Sequence, residues 1–213
     1  MRKTFDAELL ELGRELTEMA ETAQDAIDLV TASLSKGEEA GARAAIALTA
    51  SMDHMEKDIE NHCMSLLMRQ QPVARDLRTI STALKMVTDL QRIGDQAANI
   101  AEISLLMAGD GQKTDVPEDI VTMSRQAGMM VRRAIGAYAE RDTTTAKAVI
   151  DLDDGVDALF LRVKTELTER IIRREDHSDR AVDLIIIAKY LERVADHAVN
   201  IAQWAIFCVT GQL

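Results

Sequence analysis

Residues 90–101, Leu-Gln-Arg-Ile-Gly-Asp-Gln-Ala-Ala-Asn-Ile-Ala, align with residues 191–202, Leu-Glu-Arg-Val-Ala-Asp-His-Ala-Val-Asn-Ile-Ala, at a constant offset of 101. Leu, Arg, Asp, Ala, Asn, Ile and Ala are identical across the two segments. A match of that density marks a tandem duplication, so whatever one half folds into constrains the other. A weaker match at offset 104 lays Thr49-Ala50-Ser51-Met52-Asp53 over Asp153-Asp154-Gly155-Val156-Asp157. The change of offset is absorbed by a shorter last loop, which lacks the Gln71-Pro72 turn of the first half.

The repeated unit is helical. Phe5, Leu9, Leu12, Leu16, Met19, Ala23, Ala26, Val30 and Leu34 follow each other in steps of three and four, one stripe of a helix. Ser35 and Glu38 offer a capping box for a second helix, expected from about Glu38 to Arg69. Gln71-Pro72 ends that helix, and a third runs from about Val73 to Ala108. The turn-rich stretch 109–117 is the natural linker, giving repeats at 1–108 and 118–213. Pro117 opens a fourth helix to about Glu140, Asp142 caps a fifth ending near Arg174, and Ser178 caps a sixth to about Thr210. The expected fold is all-α: two tandem three-helix bundles, six long helices in total, related by duplication.

Composition narrows what such a chain does. Only 3% of residues are aromatic and 2 are proline, which excludes a β-sandwich. A net charge of −11 disfavours nucleic acid as a partner. Cys63 and Cys208 form no CxxC and suit a reducing compartment. Apolar runs such as Leu184 to Ala188 and Trp204 to Val209 fall far short of a span, and Met1-Arg2-Lys3-Thr4-Phe5-Asp6 begins no signal segment, so a cytoplasmic location is expected. GxGxxG, GxSxG and HExxH are absent from the sequence, and no catalytic constellation appears.

Polarity concentrates on two ribbons. Thr88, Gln91, Arg92, Asp95, Asn99 and Glu102 share one side of the third helix; Lys189, Glu192, Arg193, Asp196, Asn200 and Gln203 share one side of the sixth. A solvated face with local pairs such as Arg92 with Asp95, or Arg193 with Asp196, is one reading. A metal site is the other. Glu192 with Asp196, and Asp153 with Asp157, are carboxylate pairs four residues apart, and two facing pairs form a hard oxygen set for Mg, Ca, Mn or iron. Residues three before His54, His62, His177 and His197 are Ser51, Ile59, Arg174 and Val194, so the Glu-x-x-His pattern of di-iron bundles is missing. Asp58 and His62, one turn apart, are expected to pair locally, and His197 to lie at the surface or an interface.

These residues resemble those of the PhoU family of phosphate-uptake regulators. Gln71-Pro72-Val73-Ala74-Arg75-Asp76-Leu77-Arg78 is similar to the family's Gln-Pro-x-Ala-x-Asp-Leu-Arg turn, and residues 90–95 and 191–196 to its paired Leu-Glu-Arg-Ile-Gly-Asp segments. The resemblance implies a cytoplasmic negative regulator without enzymatic activity. It implies an adaptor between the ATPase subunit of the phosphate ABC transporter and a phosphate-sensing histidine kinase, peripheral to the inner membrane through those partners. Family habit and the long apolar stripes imply a homodimer. Relatives carry metal clusters on Glu/Asp-x-x-x-Asp pairs, which map to Asp153, Asp157, Glu192 and Asp196 in the second repeat. In the first repeat only Asp53 and Asp95 stay in register, because Thr49 and Gln91 replace the leading carboxylates. Asp89, six before Asp95, points elsewhere. A metal-storage bundle or a metal-dependent hydrolase is the alternative function.

The replacements predict asymmetry: the second repeat binds divalent or iron-type metal, and the first binds it weakly or not at all. Elemental mass spectrometry of untagged protein is expected to find the content of one repeat; a cluster's worth in each repeat contradicts the asymmetry.

Overall fold

The structure, a computed structural model, describes residues 2–37, 39–69, 72–109, 115–174 and 178–212. Among these it forms helices α1 (Arg2–Lys36), α2 (Glu39–Arg69), α3 (Ala74–Gly109), α4 (Glu118–Glu140), α5 (Thr143–Asp151), α6 (Asp153–Ile172) and α7 (Ser178–Thr210), and no strand. Helices α1, α2 and α3 pack as one three-helix bundle; α4, the α5–α6 arm and α7 pack as the second. The bundles join through α1 against α4 and α3 against α7, so α2 and the α5–α6 arm flank a central group of four helices.

The expected apolar stripe forms the core of α1: Leu12, Leu16, Met19, Ala23 and Ala26 are wholly buried. Helices α3 and α7 each face their own bundle and the other one, and bury residues accordingly: Ile80, Met86, Leu90, Ile93 and Ile100 on α3; Ile187, Leu191, Val194, Ala198 and Ile201 on α7. Close approach between helices is paid in side-chain size at two glycines. A Cβ on Gly94 would meet Met52 Sδ at 2.7 Å, which sets how near α2 lies to α3. A Cβ on Gly128 would meet Gln24 Nε2 at 2.6 Å, where α4 presses on α1.

Small polar groups line the seams. Ser33 and Ser104 hydroxyls share a hydrogen bond of 3.2 Å between α1 and α3, and Thr31 and Ser124 hydroxyls share one between α1 and α4. Arg180 Nη2 donates to the Met107 carbonyl (3.2 Å), fixing the start of α7 on the end of α3.

The structure departs from the sequence reading at helix ends. Ser35 stands at a helix end and not a start: it lies in the last turn of α1, where its hydroxyl donates to the Thr31 carbonyl (2.8 Å), and Gly37 closes the helix with a left-handed φ of 68°. Glu38, Gln71 and residues 110–114 of the linker lie outside the described residues, as does the Ser178 side chain. Asp142 caps as expected, accepting from Thr144 N (2.9 Å) and Thr145 N (3.1 Å). The fifth helix, however, is two. It breaks at Leu152, whose N–H turns to the Val149 carbonyl (3.1 Å), and restarts at Asp153. Asp151-Leu152-Asp153-Asp154-Gly155 explains the break: Gly155 is a weak helix former, and Asp153 with Asp154 favours the positive end of a new helix.

Leu90 is wholly buried, whereas Leu10 is 69% exposed. Leu90→Ala is expected to lower the unfolding free energy by about 2–5 kcal/mol in a urea titration. Leu10→Ala is expected to change it by less than about 0.5 kcal/mol.

Candidate functional site: two unequal acidic seams

The acidic residues singled out from sequence fall on two equivalent seams. Asp53 of α2 faces Asp95 of α3 in the first repeat; Asp153 and Asp157 of α6 face Glu192 and Asp196 of α7 in the second. The break at Leu152 puts Asp153 in the first turn of α6.

The second seam holds four carboxylates that act on one another. Burial, then the charges of Asp196, Asp157, Asp154 and Glu192, push the Asp153 carboxyl up to about 6. Asp153 Oδ1 is enclosed and meets no hydrogen-bond donor among the described residues. Burial and Glu192 also raise Asp196, with Lys189 and His197 pulling the other way. Lys189 forms an ion pair with Glu192, while its Nζ stands 5.4 Å from the centre of the Phe160 ring. An acceptor-only cluster with an orphaned oxygen fits a hard cation. Among the described residues no three His, Cys, Asp or Glu side chains are grouped closely enough to hold a metal ion, so the four carboxylates match a hard cation in chemistry and not in placement.

The first seam is arranged differently, and it too holds an enclosed oxygen that meets no donor among the described residues, Gln91 Oε1. Gln91 Nε2 donates to Asp53 Oδ1 at 2.6 Å, so the neutral amide that replaces a carboxylate bonds its neighbour instead of repelling it. Thr49 is buried and spends its hydroxyl on the Ile46 carbonyl (3.0 Å). Arg92 pairs with Asp95 at 3.1 Å, the local contact expected from the ribbon. A third carboxylate lies here that the motif comparison missed. Glu56, one turn along α2 from Asp53, is raised by burial and by Glu60, Asp53 and Asp95, with Arg92 opposing. The three-residue step from Asp53 to Glu56 was its signal; the equivalent position in the second repeat, at offset 104, is Phe160.

The pairing of His62 and the place of Asn200 are corrected, while Asp89 and His197 lie as expected. His62 does not pair with Asp58; its Nδ1 lies 2.8 Å from Glu15 Oε2 on α1. Asn200 leaves the α7 ribbon for the inter-repeat seam, where its Nδ2 donates to Asp89 Oδ1 (3.1 Å) beside His197 Nδ1 (2.9 Å). Asp89 thus faces α7, away from the acidic seam, and His197 sits at the interface between repeats. Cys63 and Cys208 are buried free thiols, Cys63 pushed up to about 12 by burial. A separate groove of about 980 Å³ opens among α1, α3, α4 and α7, lined by Arg14, Arg75, Tyr138 and Arg141 and remote from both seams.

A raised carboxyl means that the folded chain keeps a proton which the unfolded chain releases, so this contribution to stability is present at low pH and is lost as pH rises through about 6 for Asp153. Metal-free protein is expected to gain Tm from about pH 7.5 to about pH 5.5, and Asp153→Asn to show a smaller gain in the same calorimetric series. An unchanged gain in the variant contradicts the assignment.

Comparison with known proteins places this geometry. The PhoU domain profile matches residues 16–104 and 120–205, one match per repeat. The chain is 34% identical over 212 residues to a phosphate-specific transport system accessory protein PhoU homolog of Clostridium acetobutylicum, covering 99% of this chain and 96% of that one. It is 36% identical over 206 residues to the homolog of Aquifex aeolicus, covering 97% and 93%. The crystal structure of PhoU from Pseudomonas aeruginosa superposes with a TM-score of 0.93 at 29% identity, over 98% of this chain and all of that one. The regulatory protein PhoU from Streptococcus pneumoniae shares the fold, with a TM-score of 0.90 at 22% identity. With both repeats matched and the full length covered, the chain belongs to the PhoU family.

Proposed function

We propose that this chain is a regulatory accessory protein of phosphate uptake: an adaptor that represses transport and starvation signalling by binding the ATPase subunit of the phosphate ABC transporter and a phosphate-sensing histidine kinase. The observation that carries the reading is the end-to-end match, through both repeats, to phosphate-specific transport system accessory proteins. A cytoplasmic homodimer recruited by its partners is part of this reading; no helix among the described residues is long and apolar enough to cross a membrane.

Asp153, Asp157, Glu192 and Asp196 are the residues that would hold a divalent or iron-type ion in this reading, and Asp53 and Asp95 a weaker first-repeat counterpart. A bound ion would supply positive charge to the second cluster. Asp153 would offer it the orphaned oxygen, while the Gln91 amide keeps Asp53 engaged without an ion.

Affinity purification of the tagged chain from its host is expected to retain the transporter ATPase and the kinase. Deleting its gene is expected to switch on phosphate-starvation transcription in phosphate-rich medium. Normal repression in the deletion strain would falsify the regulatory reading.

A further inference from the structure

The two seams differ at a second pair of positions besides Thr49 and Gln91. Offset 101 puts Lys189 where the first repeat has Thr88, and offset 104 puts Phe160 where it has Glu56. In the first repeat these positions hold a hydroxyl, spent on the Leu84 carbonyl at 3.2 Å, and a further carboxylate. In the second they hold a cation and the ring beneath it, 5.4 Å from Nζ to the ring centre.

We infer that Lys189 is a tethered counter-cation of the second-repeat carboxylates, seated by Phe160, that competes with an external divalent cation for Glu192. The inference rests on the ion reading given above.

Lys189 is the basic partner of Glu192, and its charge also reaches Asp196. The pair is lopsided in burial. The Glu192 side chain is 14% exposed and that of Lys189 48%. The acid is therefore fixed in the seam while the cation stands at its rim. A lysine ammonium is a hydrated point charge on a flexible stem, and a half-exposed pair of this kind is readily exchanged. The Phe160 face gives the ammonium a second, weak attraction that holds it over the seam. The ring lies three residues beyond Asp157 on α6, so the lysine bridges the two helices that supply the carboxylates.

Two consequences follow. Without an ion, Lys189 offsets part of the repulsion among Asp153, Asp157, Glu192 and Asp196. When an ion arrives, Glu192 must leave the ammonium, and the displaced positive charge stays within a side-chain length of the site. The lysine therefore lowers affinity and makes the ion releasable. Removing one positive charge from the edge of a partly solvated divalent site is expected to change affinity about tenfold.

The test uses the full-length, chelator-treated protein titrated with Mn²⁺ by calorimetry, with Tm measured in chelator and in excess Mn²⁺. Lys189→Met keeps the length of the side chain and its packing on Phe160. It is expected to bind Mn²⁺ about tenfold more tightly than wild type, and to melt lower in chelator with the gap closing in Mn²⁺. Lys189→Arg is expected to behave as wild type, and Thr88→Met at the equivalent position to leave Mn²⁺ affinity unchanged. Equal affinity in wild type and Lys189→Met overturns the role of Lys189 and leaves the ion site standing. No Mn²⁺ uptake by either protein overturns the ion reading and the competition together.

Discussion

Helices α3 and α7 must each bury two faces at once, one against their own bundle and one against the other repeat. That constraint shapes the rest of the molecule. A helix buried on two sides has only a narrow strip left for polar side chains, and in both repeats that strip borders the outer helix, α2 or α6. Acidic residues on the strip are therefore pressed against the acidic residues of a neighbour. The core of Leu90, Ile93, Leu191 and Val194 fixes the backbone from the other side. Packing sets the electrostatic problem, and each repeat answers it in its own way.

The first repeat uses neutral donors and a local ion pair: Gln91 bonds Asp53, and Arg92 bonds Asp95. Both contacts join residues of the first repeat itself, the Arg92–Asp95 pair at its solvent-exposed edge. The second repeat keeps its charge, and the cost shows in the upward push on Asp153 and Asp196. Its compensating ion pair, Lys189 to Glu192, stands at the rim. Duplication supplied two copies of a seam, and divergence left one bridged by the Gln91 amide and the other with four carboxylates and Lys189 at its rim. The Asp89 contacts to His197 and Asn200 lie between these seams and link α3 of one repeat to α7 of the other.

The sequence made the helices legible because their apolar spacing is long and regular, and the repeat made their pairing legible. The break at Leu152 escaped the same reasoning, since the period of three and four continues through it; Gly155 and the acidic doublet before it were the local signs. Ser35 failed as a cap because α1 continues past it to Gly37. The acidic positions were found by comparing repeats, which by construction locates what the repeats share or have lost. Glu56 has no acidic counterpart and so stayed hidden, although its distance from Asp53 suited a shared helix face. His62 found Glu15, and Asn200 found Asp89, because partners on other helices leave no trace in local spacing.

In the reading proposed above, only the second seam answers to a cation. Backbone hydrogen exchange measured with chelator and with Mn²⁺ tests this directly, since exchange reports local opening in each helix. Slower exchange across α6 and the middle of α7 in Mn²⁺, with α2 and α3 unchanged, is the expected result. Equal slowing at both seams, or none at either, would contradict it.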